Sequence, residues 1–416
     1  MQRGGGLLRR WLALTSAGRL ATVTAVRHIY YRTQGDATML PLIFDTDQHI
    51  TEPPDLWVSR LPKKHQEMAP RVIEHEEFKH GWSFFGGQII RPMGLQSQSS
   101  TDPRQNHPNK RYEELDPGCF DPRERVKVLD IDGVKAALIF PSVGGTLSNA
   151  PNEEIYLACL KAYNDGVMEW SREGDSERLV PAALIPAIGI EHAMAELDRT
   201  AKMGYIHYMF NQWPSGGAFP TQADDLFFDK VEETGMTVSF HGYGQGRPTP
   251  VKQQAVDGKP QPVLSRGNAQ EMIAASRGAG LGCTAGLGVL ILSGLLDRHS
   301  KLRIGMIETS AGWLPSFAER MDALYLTHRF AGGVTLKELP SDYIKRLKLN
   351  MDREWLGYKY RDQIGMDNLM FATDYPHFGS FYPHTRFYVE LVTQGMTGEE
   401  IEKLLWGNAA ALYGVN

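Results

Sequence analysis

Ile43-Phe44-Asp45-Thr46-Asp47-Gln48-His49 decides how the rest of this 416-residue chain is read. An apolar pair leads into alternating acidic and polar residues, and the run ends on a histidine before Ile50-Thr51-Glu52-Pro53-Pro54. As a strand it has period two, so Asp45, Asp47 and His49 project to one side. Two carboxylates and an imidazole make a poor core face. They make half of a metal site, because carboxylate oxygen and imidazole nitrogen both ligate first-row ions. Taken alone, the same run reads equally well as a solvated strand end. The decision rests on whether later segments supply the other half.

Working outward, short apolar runs alternate with helical patterns. Strands are expected at 136–140, 180–185, 205–210, 236–241, 302–308, 347–351 and 368–374. Helices are expected over 122–133, 152–173, 191–203, 224–234, 269–296, 315–328 and 399–406. Asp121-Pro122 opens the first of these with proline in the first turn, and Gly204 and Gly235 close two others. Eight strands separated by helices predict an α/β fold, a (β/α)8 TIM-type barrel spanning residues 39–416. Long insertions are expected after strands one and five. The first, to about residue 122, reads as irregular, and the second is the Gly/Pro/Gln-rich stretch 242–262. No GxGxxG follows a strand and no GxxxxGK[ST] is present, which removes the dinucleotide and P-loop readings.

A hydrophobic fraction of 42% supports a large core. A net charge of −5 argues against nucleic-acid or membrane partners. Residues 1–38 run against that balance, with six arginines and the single acid Asp36. They read either as an organelle transit peptide or, the preferred reading, as sequence upstream of a true start at Met39. Three dispersed cysteines, Cys119, Cys159 and Cys283, imply neither a disulfide framework nor a zinc finger. A reducing, cytoplasmic setting is expected, with a small-molecule substrate and a homodimer as the candidate assembly.

Catalytic residues of such barrels sit at the carboxyl ends of the strands. Those positions hold Asp47 and His49 on strand one, His241 on strand five, Glu308 on strand six and Asp374 on strand eight. Each has a bland reading: His241 as a core histidine, Asp374 as a turn cap before Tyr375-Pro376-His377, Glu308 as an acceptor for turn amides. All the bland readings holding together is the less economical account.

These residues also carry a resemblance. Asp45-Thr46-Asp47-Gln48-His49 with Glu52-Pro53-Pro54-Asp55-Leu56-Trp57, Asp132-Gly133-Val134, Val238-Ser239-Phe240-His241, Gly312-Trp313-Leu314-Pro315 and Ala372-Thr373-Asp374-Tyr375-Pro376-His377 occur in order along the body. The pattern resembles the amidohydrolase-related family, the aminocarboxymuconate-semialdehyde decarboxylase-like branch of the metal-dependent amidohydrolases. The resemblance implies one divalent metal ion (Zn, Mn or Mg) and a hydrolase or non-oxidative decarboxylase. Its substrate would be a small cyclic or aromatic carboxylate or amide. The metal ligands expected are Asp47, His49, His241 and Asp374, with Asp45 in support.

Asp374, Glu308 and His241 are the expected catalytic residues, Asp374 being the proton shuttle. Arg91, Trp82 and His377 are the expected substrate-side residues, Arg91 as a carboxylate clamp. The chain departs from the family at Asp47, where His-x-His is usual, and at Glu308, which stands where a histidine is usual. Both changes enrich the site in carboxylate and favour Mn²⁺ or Mg²⁺ over Zn²⁺. The rival expectation is a metal-free, inactive barrel kept as a binding or scaffold protein.

Overall fold

The computed structural model describes residues 41–76, 79–93, 109–217, 219–241, 282–351 and 353–415, with only the backbone of the pairs 255–256 and 259–260. The sequence expectations for residues 1–38, for most of the 242–262 insertion and for the first part of the 269–296 helix lie outside the described residues.

The strands are β1 (Phe44–Ile50), β2 (Arg71–His75), β3 (Lys79–Phe84), β4 (Ile89–Pro92), β5 (Ala136–Pro141), β6 (Leu179–Pro181), β7 (Ala183–Leu184), β8 (His207–Phe210) and β9 (Thr237–His241). They continue as β10 (Ala255–Val256), β11 (Lys259–Pro260), β12 (Ile304–Ile307), β13 (Lys348–Met351) and β14 (Leu369–Phe371). β1, β5 and β6 form one parallel sheet, and β7, β8, β9, β12, β13 and β14 form another in that order. The expected third strand is therefore divided at Ala182, its first half pairing with β5 and its second with β8. Beyond β14 the chain meets β1: His49 N–H donates to Tyr375 O at 2.6 Å, and Asp374 N–H to Asp47 O at 2.8 Å.

Helices separate these strands, and their ends follow local chemistry. Asp121 accepts from the amides of Arg123 and Glu124 to start Pro122–Asp132, which Gly133 ends at φ +71°. Asn152 caps Glu153–Gly174, and Thr221 with Asp224 forms a capping box before Gln222–Thr234. None of the described helices is long and apolar enough to cross a membrane.

The period-two pattern explains where the core lies. Ala136, Leu138 and Phe140 of β5 join an inner cluster with Phe44, Ile307, Met370 and Tyr413, while Ala137 and Ile139 join the larger cluster under the helices. Buried on both faces, such strands read as continuous apolar runs. In β9 the same alternation sends Val238 and Phe240 to the outer cluster. Thr237 and Ser239 instead bond Leu412 O and Tyr413 Oη of the C-terminal helix Asn408–Tyr413, and His241 continues that inner row.

Among the described residues, the stretch after β1 is not wholly irregular. It contains β2, β3 and β4 as an antiparallel sheet, turned at Gly86 (φ +69°) and Gly87 (φ +91°). Gly-Gly between the apolar runs Trp82–Phe85 and Ile89–Ile90 is a hairpin signal, and a reading weighted towards proline and charge passes over it.

Candidate metal centre

β1 carries the first half of the site, with one difference from strict alternation. Its register against β5 shifts between Asp45 and Gln48. The irregularity inverts the phase of the side chains, so Asp45 does not share the face of Asp47 and His49. Asp45 instead accepts from Gln48 Nε2 at 2.8 Å, from Thr373 N at 2.9 Å and from the Thr373 hydroxyl, tying β1 to the segment after β14.

Asp47 and His49 face His241 from β9. Asp47 Oδ1 lies 3.4 Å from His49 Nε2 and 3.2 Å from His241 Nε2. His49 is oriented by its other nitrogen, Nδ1, which lies 3.0 Å from Pro141 O at the end of β5. That arrangement fixes the tautomer and aims Nε2 into the centre.

β14 stops at Phe371, and the chain then turns sharply so that Asp374 sits at φ +60°. Asp374 Oδ1 lies 3.5 Å from His49 Nε2, and Oδ2 accepts from Arg353 Nη2 at 3.1 Å. His377 packs its ring 4.0 Å from that of His49 and places Nδ1 3.9 Å from Asp374 Oδ1. Glu308 follows β12 at φ +57°, its N–H held by Asn350 Oδ1 and its Oε2 3.8 Å from His241 Nδ1. Arg353 is also left-handed, at φ +41°. Non-glycine residues in this region carry about 1–3 kcal/mol of strain each and concentrate where geometry is functional.

Burial sets the charges. It works against the Asp47 carboxylate, yet the His241 and His49 imidazoles beside it outweigh burial and hold Asp47 below the usual carboxylate range. Burial pushes His49 down and His377 well down, which leaves neutral imidazoles with lone pairs to donate. Asp45 is pushed up to about 7 by burial, against its hydrogen bonds from Thr373 and Gln48.

These residues fit a divalent ion. Ligands about 2.1 Å from a metal stand roughly 3.0–3.4 Å apart when adjacent; Asp47 lies 3.2 Å from His241 and 3.4 Å from His49, and His49 lies 3.5 Å from Asp374. Asp47 Oδ2, His49 Nε2 and His377 Nδ1 are buried and accept or donate no hydrogen bond among the described residues. Buried polar atoms are normally paired, so their convergence calls for a cation. Asp47, His49 and His241 form one donor group, and His49, Asp374 and His377 a second.

The sequence profile of the amidohydrolase family matches residues 44–415. The chain belongs to the amidohydrolase family. It is accordingly an enzyme of the metal-dependent hydrolase or carboxy-lyase type, and the scaffold alternative gains no support. No curated protein matches the sequence.

Among solved structures, an amidohydrolase from Mycobacterium avium subsp. paratuberculosis K-10 superposes with a TM-score of 0.67 at 18% identity, over 91% of this chain and 100% of that one. The 5-carboxyvanillate decarboxylase LigW of Sphingomonas paucimobilis gives 0.62 at 17% identity, over 91% and 100%. A dihydroxybenzoic acid decarboxylase from Polaromonas sp. JS666, with bound manganese and the inhibitor 2-nitroresorcinol, gives 0.58 at 17%, over 91% and 98%.

The structure brings together Asp47, His49, His241, Asp374, Glu308 and His377. It does not bring Trp82 to them: that ring is 1% exposed, packed edge-on against Trp57 at 5.5 Å and beside Phe84. Arg91 pairs across the sheet with Trp82 and donates to Thr146 Oγ1 at 2.7 Å, beside the Glu52 carboxylate.

Three supporting residues were passed over in the sequence. Arg353 lies in a loop whose charges look solvated. Glu52 accepts from the amides of Val143 and Gly144 and fixes the turn after β5. Arg125, wholly buried, donates to Gly118 O, to His49 O at 2.7 Å and to Cys119 O at 3.2 Å. The only signal for Arg125 was a cation on the inward side of its helix, between Val128 and Pro122.

Proposed function

We propose that this enzyme removes the carboxylate of a small aromatic acid as CO₂, in a site held by Asp47, His49, His241 and Asp374 within one closed (β/α)8 barrel. The division of the third strand at Ala182 and the Gln48–Tyr375 bridge support closure, since they link the two sheets at both edges. The observation that carries the chemistry is Asp374, with one oxygen toward His49 and the other on Arg353.

A divalent ion bound here, with manganese or magnesium suited to the carboxylate-rich donor set, supplies polarisation of a substrate carboxylate or phenolic oxygen. Asp374 delivers a proton to the ring carbon that bears the carboxylate. The carbon–carboxylate bond then breaks, its electron pair restores the ring, CO₂ leaves, and solvent returns a proton to Asp374. Similar folds named as decarboxylases of carboxyvanillate and dihydroxybenzoate support this substrate class.

Hydrolysis of a cyclic amide or lactone uses the same residues on a water and is the second reading, favoured by the family as a whole. Hydroxybenzoates assayed for CO₂ release, beside anilides and lactones assayed for hydrolysis, separate the two. The expected result is CO₂ release that is lost on chelation and in Asp374→Asn. Turnover confined to the amides and lactones refutes decarboxylation, and no turnover with any compound refutes both.

A further inference from the structure

The first donor motif supplies one imidazole and one carboxylate, and the position after β12 supplies Glu308, so the strand ends offer two histidines, His49 and His241. A third imidazole nevertheless reaches the centre from beyond the strands. His377 is set by the turn after β14, its N–H donating to Asp374 O at 2.8 Å and its carbonyl accepting from Ser380 N at 2.9 Å. The turn directs the ring onto His49, with ring centres 4.0 Å apart and planes inclined by 34°. Its Nδ1, buried and without a hydrogen bond among the described residues, lies 3.9 Å from Asp374 Oδ1, and His377 forms one donor group with His49 and Asp374.

An imidazole that only supported a ligand would donate its N–H to it at hydrogen-bond distance, near 3 Å. A separation of 3.9 Å is too long for that bond. It falls between adjacent and opposite ligands of a common ion, roughly 3.0 and 4.2 Å for bonds of about 2.1 Å.

We infer that His377 is itself a metal ligand through Nδ1 and restores the third nitrogen that Asp47 removes from the strand ends. The inference rests on the proposed metal centre and adds to it a specific coordination sphere, three imidazole nitrogens with the Asp47 and Asp374 oxygens. Because His377 rides on the turn that positions Asp374, the proton-transferring carboxylate and the third nitrogen move as one unit.

The test loads the full-length protein with Mn²⁺, measures affinity by competition with a chromophoric chelator and counts directly bound nitrogens by pulsed electron paramagnetic resonance. Three nitrogens are expected in the wild type and two in each of His377→Ala and His241→Ala. Mn²⁺ affinity should fall at least 100-fold in both variants, more than loss of an outer hydrogen bond brings. The wild-type count needs no variant, so misfolding of one cannot mask the result. Two nitrogens in the wild type, or His377→Ala matching it in affinity and count, overturns the inference and leaves the metal centre standing. Failure of the wild type to bind Mn²⁺ at all overturns both.

Discussion

Arg125→Met tests how the His49 end of β1 is held. The guanidinium is fully buried and serves three carbonyls, Gly118 O, His49 O and Cys119 O, while lying over the Tyr375 ring at 4.7 Å. Methionine keeps the length and most of the packing but donates nothing. Cys119 O retains the Thr51 amide at 2.9 Å, so the uncompensated loss falls mainly on Gly118 O and His49 O, with a weaker one at Gln48 Oε1, 3.4 Å from the guanidinium. A buried acceptor stripped of its donor costs about 1–3 kcal/mol, which gives about 2–6 kcal/mol for the two.

Relief from desolvating a cation offsets part of this. Burial pushes the arginine down from its ordinary value, so its charged form is held at some expense. A net destabilisation of about 3 kcal/mol is expected, read as a lower urea midpoint with an unchanged slope. Because His49 O is one of the released groups, metal affinity should fall as well, by about 10–100-fold, the range found when groups that orient a ligand are lost. A stability change below about 1 kcal/mol with unaltered metal binding would refute the view that Arg125 holds β1 in register.

Other perturbations act on separate parts of the same scaffold. Asp47→His restores the paired-imidazole motif and should shift the ratio of Zn²⁺ to Mn²⁺ affinity at least tenfold toward zinc; equal ratios in competition titrations count against Asp47 as a ligand. Gly379→Ala introduces a carbon into the space of the Arg353 guanidinium, a flexible group that can move aside. Activity should therefore drop as far as in Arg353→Gln while stability changes by less than about 1 kcal/mol; full activity would show the Arg353–Asp374 pair to be dispensable. Asp132, buried against Thr385 N and its hydroxyl, is pushed by burial up to about 6 from 3.8. A raised carboxyl stabilises the fold below its unfolded value and loses that contribution as pH rises through about 6. Wild type should thus lose roughly 2.5 kcal/mol relative to Asp132→Asn between pH 4 and pH 8, and a constant gap in urea midpoints contradicts it.

What could be read from the chain follows from which forces are local. β5 and β9 were legible because burial on both faces leaves continuous apolar runs, and His241 because it terminates one of them. The phase of Asp45 was not legible, since a register shift arises from pairing with β5 and leaves no mark in the residues of β1. Glu308 and Asp374 were placed as strand ends, although the strands close at Ile307 and Phe371 and both residues occupy left-handed turns beyond them. Alternation cannot foresee that, because the hydrogen bonds that sustain such turns come from distant segments, Asn350 for Glu308 and Asp47 O for Asp374. Trp82 looked like a substrate platform in a polar loop. The Gly86-Gly87 turn signals the hairpin, but the burial of Trp82 against Trp57 depends on tertiary packing that composition does not encode.

The same distinction bears on why a carboxylate is tolerated at Asp47. A buried divalent ion flanked by two carboxylates and neutral imidazoles is close to electroneutral, which removes most of the penalty for burying the cation. Such a centre also attracts an anionic substrate less than one with a further imidazole in place of Asp47. Arg353 compensates: its guanidinium touches the Asp374 oxygen other than the one nearest His49 and retains 35% exposure. Glu308, at 37% exposure, sits where solvent screens its charge. The negative charge that Asp47 adds at the strand ends is thus offset from the loop after β13. Under the decarboxylation proposed above, an arriving carboxylate would share this guanidinium with Asp374 and leave Asp374 to take up a proton.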